Sequence, residues 1–125
     1  MAKILVVDDE PLIGAMTEEW LLELGHVVVG PAGSLAAALE LAETDLDAAI
    51  LDVSLGKDTS YPLADALRAR GVPFALATGY GLDGIDPRYR GHSTLAKPFE
   101  FDGFRRVVGE LLAKARAREE REGAP

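Results

Sequence analysis

In Ala48-Ala49-Ile50-Leu51-Asp52-Val53-Ser54 an unbroken apolar run ends by presenting one carboxylate, a pattern that few folds accommodate. A parallel strand covered on both faces reads as continuous aliphatics, so an acid belongs where such a strand emerges rather than inside it. Three other stretches repeat the plan. Ile4-Leu5-Val6-Val7 ends in Asp8-Asp9-Glu10, Phe74-Ala75-Leu76-Ala77 ends in Thr78-Gly79, and Thr94-Leu95-Ala96 ends in Lys97-Pro98. In open parallel sheets ligands bind beyond the carboxyl ends of the strands, so the four endings are expected to share one crevice.

The segments between these runs have helical signatures. Pro11 opens a stretch in which Leu12, Ile13, Met16, Trp20 and Leu24 recur at helical spacing up to Gly25. Val27-Val28-Val29-Gly30 reads as a second short strand. Pro31-Ala32-Gly33-Ser34 reads as the turn into a second helix, with Ser34 as N-cap and Leu35, Ala38, Leu39 and Ala42 as the buried stripe. Ser54 to Ser60 is polar and glycine-bearing, hence a loop, and a third helix is expected over residues 62–70. From Gly79 to Pro87 three glycines and a proline stand where the next helix is due, so the fourth helix is expected to be short or disordered. A closing helix follows, with Phe101, Phe104, Val108 and Leu111 inward; Ala113 to Glu122 lacks an apolar face and is expected to fray into solvent. Strand and helix alternate about five times, which predicts a doubly wound α/β fold with a five-stranded parallel sheet and helices on both faces.

With 125 residues, 48% of them hydrophobic, the chain suits one domain, placed at 1–118 with a charged tail at 119–125. The absence of cysteine excludes disulfides, thiolate metal sites and a cysteine nucleophile, and fits the cytoplasm. No stretch has the apolar length of a signal core or membrane span, so no membrane association is expected. A net charge of −8 has the wrong sign for a phosphate-backbone binder, so no nucleic-acid partner is expected.

Asp8, Asp9 and Asp52 together would repel one another without a cation among them, and an all-oxygen donor set points to Mg²⁺. A carboxylate can also accept a phosphoryl group, with Lys97 supplying positive charge and Thr78 a hydroxyl donor. Each residue also has a bland reading: a helix N-terminal acid, a loop cap, a strand threonine, a surface lysine. The four endings taken together outweigh these. His26 and His92 have no acid or cysteine at ligand spacing and read as structural, and Trp20, at helical spacing with Met16 and Leu24, reads as a packed face.

Val6-Val7-Asp8-Asp9-Glu10, Leu51-Asp52, Thr78-Gly79 and Lys97-Pro98-Phe99 together resemble the signature of the response-regulator receiver domain, over nearly the whole chain. The resemblance implies strand order 2-1-3-4-5 and a phosphoryl group accepted on Asp52 from a histidine kinase or histidine phosphotransfer protein. It implies Mg²⁺ held by Asp9 and Asp52 directly, by Asp8 through water, and by the backbone carbonyl of Ser54. Lys97 would pair with the phosphoryl oxygens and Thr78 would swing toward them as the switch, with a Lys97–Pro98 bond that is often cis in this family. Kinase docking is implied on Leu12, Ile13, Ala15 and Met16 and beside Pro98 and Phe99.

Two departures stand out. The position three before the lysine, usually Tyr or Phe, is Thr94, and Tyr80 is a nearby substitute. Pro73 to Gly81 resembles a receiver subgroup with a Phe-Ala-Thr-Gly-type signature, typically stand-alone receivers working with histidine kinases outside the commonest type. Ser54 and Tyr80 occupy positions that in the family gate water access and so control phosphate lifetime. The expected function is a single-domain, non-enzymatic response regulator, monomer or weak dimer, acting as switch, shuttle or sink. The alternative is a Mg²⁺-dependent aspartyl-phosphate phosphatase or phosphotransferase on small substrates, disfavoured because Ser54 stands where haloacid-dehalogenase-like phosphatases carry a second acid. A flavin-binding domain fares worse, since the acids would repel a cofactor phosphate.

Overall fold

The structure, a computed structural model, describes residues 1–122. Its elements in chain order are β1 (Lys3–Val7), α1 (Pro11–Glu23), β2 (Val27–Ala32), α2 (Leu35–Leu41), β3 (Ala48–Asp52), β4 (Ser54–Leu55), β5 (Asp58–Thr59), α3 (Tyr61–Ala69), β6 (Phe74–Thr78), β7 (Ser93–Ala96) and α4 (Phe101–Glu122). The main sheet has order β2-β1-β3-β6-β7, and all its pairs are parallel. With β6 and β7 as its fourth and fifth strands, this is the expected 2-1-3-4-5 order.

Every residue of β3 and β6 is buried, which explains their unbroken apolar sequences. Alternate residues feed two separate cores. Leu5, Val7, Ala49, Leu51, Phe74 and Leu76 pack with α2 and α3 through Ala38, Leu63 and Leu67. Ile4, Val6, Ala48, Ile50, Ala75 and Ala77 pack with α1 and α4 through Leu21, Phe104, Val108 and Leu111. The small alanines on this second face leave room for the large side chains of α4.

Four local expectations need correction. Of the apolar series read on α1, Trp20 and Leu24 pack against the second core and Ile13 and Met16 are half-buried, but Leu12 is 85% exposed, and the fully buried positions of the helix are Gly14, Thr17 and Leu21. A Cβ at Gly14 would lie 3.3 Å from Pro31, so close approach of helix to sheet selects a small residue there. Strand β2 runs on through Pro31 to Ala32 instead of ending at Gly30. Its register with β1 shifts between Leu5 and Val7, and the resulting bulge on an edge strand accommodates the proline that a central strand would reject. The expected 54–60 loop contains a two-residue antiparallel pair, β4 with β5, turning at Gly56 with φ of 64°.

Finally, the helix expected to fray after Leu112 continues to Glu122, with no break at residue 118. Ala115 is buried and Arg118 Nη1 donates to the Gly71 carbonyl at 2.9 Å, extending the stripe of Leu111 by one turn and then tying it to the chain before β6. The remaining tail residues, 123–125, lie outside the described residues.

Between β6 and β7 there is no α-helix, as the glycines predicted, only two 3-10 turns at Gly81–Gly84 and Pro87–Tyr89. Ser34 caps α2 as expected, accepting from the Ala37 N–H at 3.2 Å. Both histidines are packed: His26 Nδ1 accepts from the Ala2 N–H, and the His92 ring stacks on Phe74. No helix among the described residues is long and apolar enough to cross a membrane.

Candidate functional site

Register sets the site. Val7 lies opposite Leu51, Asp52 opposite Ala77 and Thr78 opposite Ala96, so the chain leaves β1, β3, β6 and β7 at nearly one level. At three of these exits the functional side chain also turns the backbone. Asp8 Oδ1 accepts from the Glu10 N–H at 2.9 Å, Asp52 Oδ1 from the Ser54 N–H at 3.3 Å, and Thr78 Oγ1 from the Tyr80 N–H at 3.1 Å. Asx and Ser/Thr turns arise this way, with the oxygen reaching the amide two residues on. At the fourth exit the Lys97 N–H donates to the Thr78 carbonyl at 2.8 Å, and the Lys97–Pro98 peptide is cis, as is Gly30–Pro31.

Lys97 is the hub. Its ammonium lies 3.0 Å from Asp52 Oδ2, 3.1 Å from Asp8 Oδ2 and 3.4 Å from Glu10 Oε1. Burial works against its charge, but hydrogen bonds to Asp52 and Asp8 outweigh it and raise its pKa above the ordinary lysine value. Asp52 moves the other way from a normal acid. Burial, reinforced by the charge of Asp8, pushes its carboxyl up to about 6 against the opposing hydrogen bond from Lys97.

Asp9 is exposed, and its Oδ2 accepts from the Gly56 N–H at 2.9 Å, which ties the β4–β5 hairpin to the acid cluster. Asp8, Asp9, Glu10 and Asp52 each bring one oxygen within 4.8 Å of the others. Four carboxylates facing one ammonium leave an excess of negative charge, and the all-oxygen set fits Mg²⁺. Ile13, Ser54, Thr78, Tyr80 and Pro98 join Asp9, Asp52 and Lys97 around a cleft of about 580 Å³.

Most sequence-predicted residues therefore converge. Thr94 does not line this cleft; it sits half-buried within β7 opposite Leu76, two positions below the strand's end. Tyr80 is 81% exposed. Of the expected docking residues, Leu12, Ala15 and Pro98 are exposed, while Ile13, Met16 and Phe99 are half-buried. Phe99 is anchored edge-on against Trp20 at 6.1 Å, which fixes the chain just beyond Pro98.

Sequence reasoning missed three participants. Glu10 was given no role, although its place in the acid run was the signal. Gly56, as the amide partner of Asp9, left no sequence trace beyond being glycine. A Cβ at Gly84 would stand 2.6 Å from Thr78 Oγ1 and 2.7 Å from Tyr80 Cβ, so only glycine fits against the Thr78 hydroxyl.

Fold and site together define a doubly wound domain with an acid-and-lysine cleft at the carboxyl edge of its sheet. A scan against known protein families finds no match. The chain is 34% identical over 125 aligned positions to the transcriptional regulatory protein TcrA of Mycobacterium tuberculosis, covering 92% of this chain and 45% of that protein. It spans about half the length of the curated relatives it matches. Among solved structures, SdrG from Sphingomonas melonis Fr1 superposes with a TM-score of 0.76 at 44% identity, over 92% of this chain and 96% of that one. The response regulator TrrA from Thermotoga maritima, solved with Mg²⁺ and BeF, superposes with a TM-score of 0.79 at 29% identity, over 90% and 100%. The chain belongs to the receiver domains of response regulators in two-component signalling.

Proposed function

We propose that Asp52 accepts a phosphoryl group from the phosphohistidine of a histidine kinase or phosphotransfer protein. The observation carrying this reading is the Asp52 carboxylate at 3.0 Å from Lys97, inside a cluster of acids suited to one divalent ion. Asp9 and Asp52 would hold Mg²⁺, with Asp8 and the Ser54 carbonyl contributing to its shell. When bound, the ion offsets the charge that develops on the phosphoryl oxygens.

In the transfer an Asp52 oxygen forms the new O–P bond as the N–P bond to the donor imidazole breaks, and the electron pair leaves with the imidazole nitrogen. Lys97 exchanges its contact with Asp52 for one with a phosphoryl oxygen. Thr78 Oγ1, now accepting from the Tyr80 amide, rotates to donate to another. Releasing that amide loosens the 79–84 segment, which links chemistry to surface shape. Tyr80 and Ser54 flank the phosphoryl position and set its lifetime by controlling water. Thr94 makes no aromatic readout, and exposed Tyr80 takes that part.

The kinase docks on Leu12, Ile13, Ala15 and Met16 with Pro98 and Phe99; Ile13 and Pro98 already border the cleft. The 3-10 turns where a helix would stand, and Tyr80 after Thr78-Gly79, support kinship with the Phe-Ala-Thr-Gly subgroup. The output is a protein contact or onward transfer, as switch, shuttle or sink.

Intact mass after incubation with Mg²⁺ and acetyl phosphate tests the reading. One phosphate is expected on the wild type, and none on Asp52→Asn or in EDTA. Phosphate retained by Asp52→Asn would place the acceptor elsewhere.

A further inference from the structure

At the opposite pole of the sheet, where β6 and β7 begin, lies a second groove of about 420 Å³. Its walls carry Arg68 from α3 and Lys114, Arg118 and Arg121 from α4, and its floor includes Phe74 and His92. In a chain of net charge −8 this is a local inversion of sign, and no acid lines the groove among the described residues. Two of the four cations carry ion pairs: Asp65 lies 3.5 Å from Arg68 and Glu122 lies 3.8 Å from Arg118. Lys114 and Arg121 have no ion-pair partner among the described residues.

The groove is held in shape. Arg118 lies across Gly71, with its Cδ 3.1 Å from where a Cβ would stand, and its Nη1 donates to the Gly71 carbonyl. The buried Nε of Arg118 has no hydrogen-bond partner. The His92 ring packs between Phe74 at 4.5 Å and Tyr89 at 6.0 Å, and among the described residues nothing hydrogen-bonds its ring nitrogens. Lys114 and Arg121, two cations without ion-pair partners among the described residues, stand beside the half-buried His92 imidazole and give the groove a surplus of hydrogen-bond donors. Such a surface is complementary to an anion with several oxygens, and arginine forks favour phosphate.

We propose that this groove binds a phosphorylated small molecule of nucleotide size, independently of the phosphoryl site at Asp52. The volume lies within the range of small-ligand pockets, which begins at about 300 Å³. The positive field is also felt by His92, whose pKa is held below the ordinary value by burial and then by Lys114 and Arg68.

The test uses full-length Asp52→Asn protein in EDTA, so that the acidic cleft binds no phosphate through a metal. Pyrophosphate and ADP are titrated separately while the ring resonances of both histidines are followed by NMR. Saturable shifts at His92, with His26 unmoved, are expected below about 1 mM ligand. Tighter binding of ADP would identify a nucleotide as the ligand, and tighter binding of pyrophosphate an inorganic polyphosphate. Lys114→Ala with Arg121→Ala, both surface changes, should weaken binding about tenfold or more. Shifts that fail to saturate, that sodium chloride reproduces, or that persist unchanged in the double variant would overturn the proposal.

Discussion

Asp52 is held in a place that favours its neutral form, and this has a measurable sign. Its pKa is raised to about 6 in the folded protein by burial and by Asp8, against a lower value when the chain is unfolded. The folded state therefore binds the extra proton. Its contribution is fully present below the unfolded pKa and is lost as pH rises through the folded one. In EDTA, Asp52→Asn should accordingly match the wild type in thermal unfolding near pH 4. By pH 7.5 it should exceed it by about 1–2 kcal/mol, allowing for solvent screening. An unchanged difference across that range would mean that the carboxylate carries no such strain. Gly84 is the second residue with a sharp expectation. Because a Cβ there meets Thr78 Oγ1 and Tyr80 Cβ, Gly84→Ala should cost about 1–3 kcal/mol in urea unfolding.

Among the elements, α4 diverges most from what its sequence suggests. From Ala113 onward charged residues dominate, yet burial of Ala115 and the Arg118 bond to Gly71 hold the helix against the start of β6. Arg118→Ala should lower stability by about 1 kcal/mol, and hydrogen exchange should show amide protection persisting through Ala115. Protection ending at Leu112 would restore the frayed tail. Strand positions were legible because burial on both faces leaves a continuous apolar signature in β3 and β6. Gly14 on α1 was not, since it is selected by close approach to Pro31 of β2 rather than by hydrophobicity. Pro31 hid the end of β2, because a bulge on an edge strand tolerates what propensity forbids. Nor did the polar 54–60 stretch announce a hairpin whose Gly56 amide reaches 47 residues back to Asp9.

For the whole molecule, the proposed metal site and pH are linked through the same acids. Mg²⁺ added to the wild type should raise the unfolding temperature, since a ligand of the native state stabilises by mass action. The gain should shrink as pH falls below about 6, where Asp52 takes up its proton. Asp9→Ala should abolish most of it, measured as the Mg²⁺-dependent shift in melting temperature. A gain independent of Asp9 would move the ion out of this cluster. The site was legible as a set because its chemistry sits at strand ends, whose level the register then fixes. The bonds that Asp8, Asp52 and Thr78 make to amides two residues on carry one more consequence. Under the proposed function each side chain is at once a reagent and the pin of a bend, so its length is as constrained as its charge. Glutamate at position 52 keeps the charge but carries it one methylene further out, past the Ser54 amide. A charge-preserving mimic there alters the path of the chain before it imitates any signal.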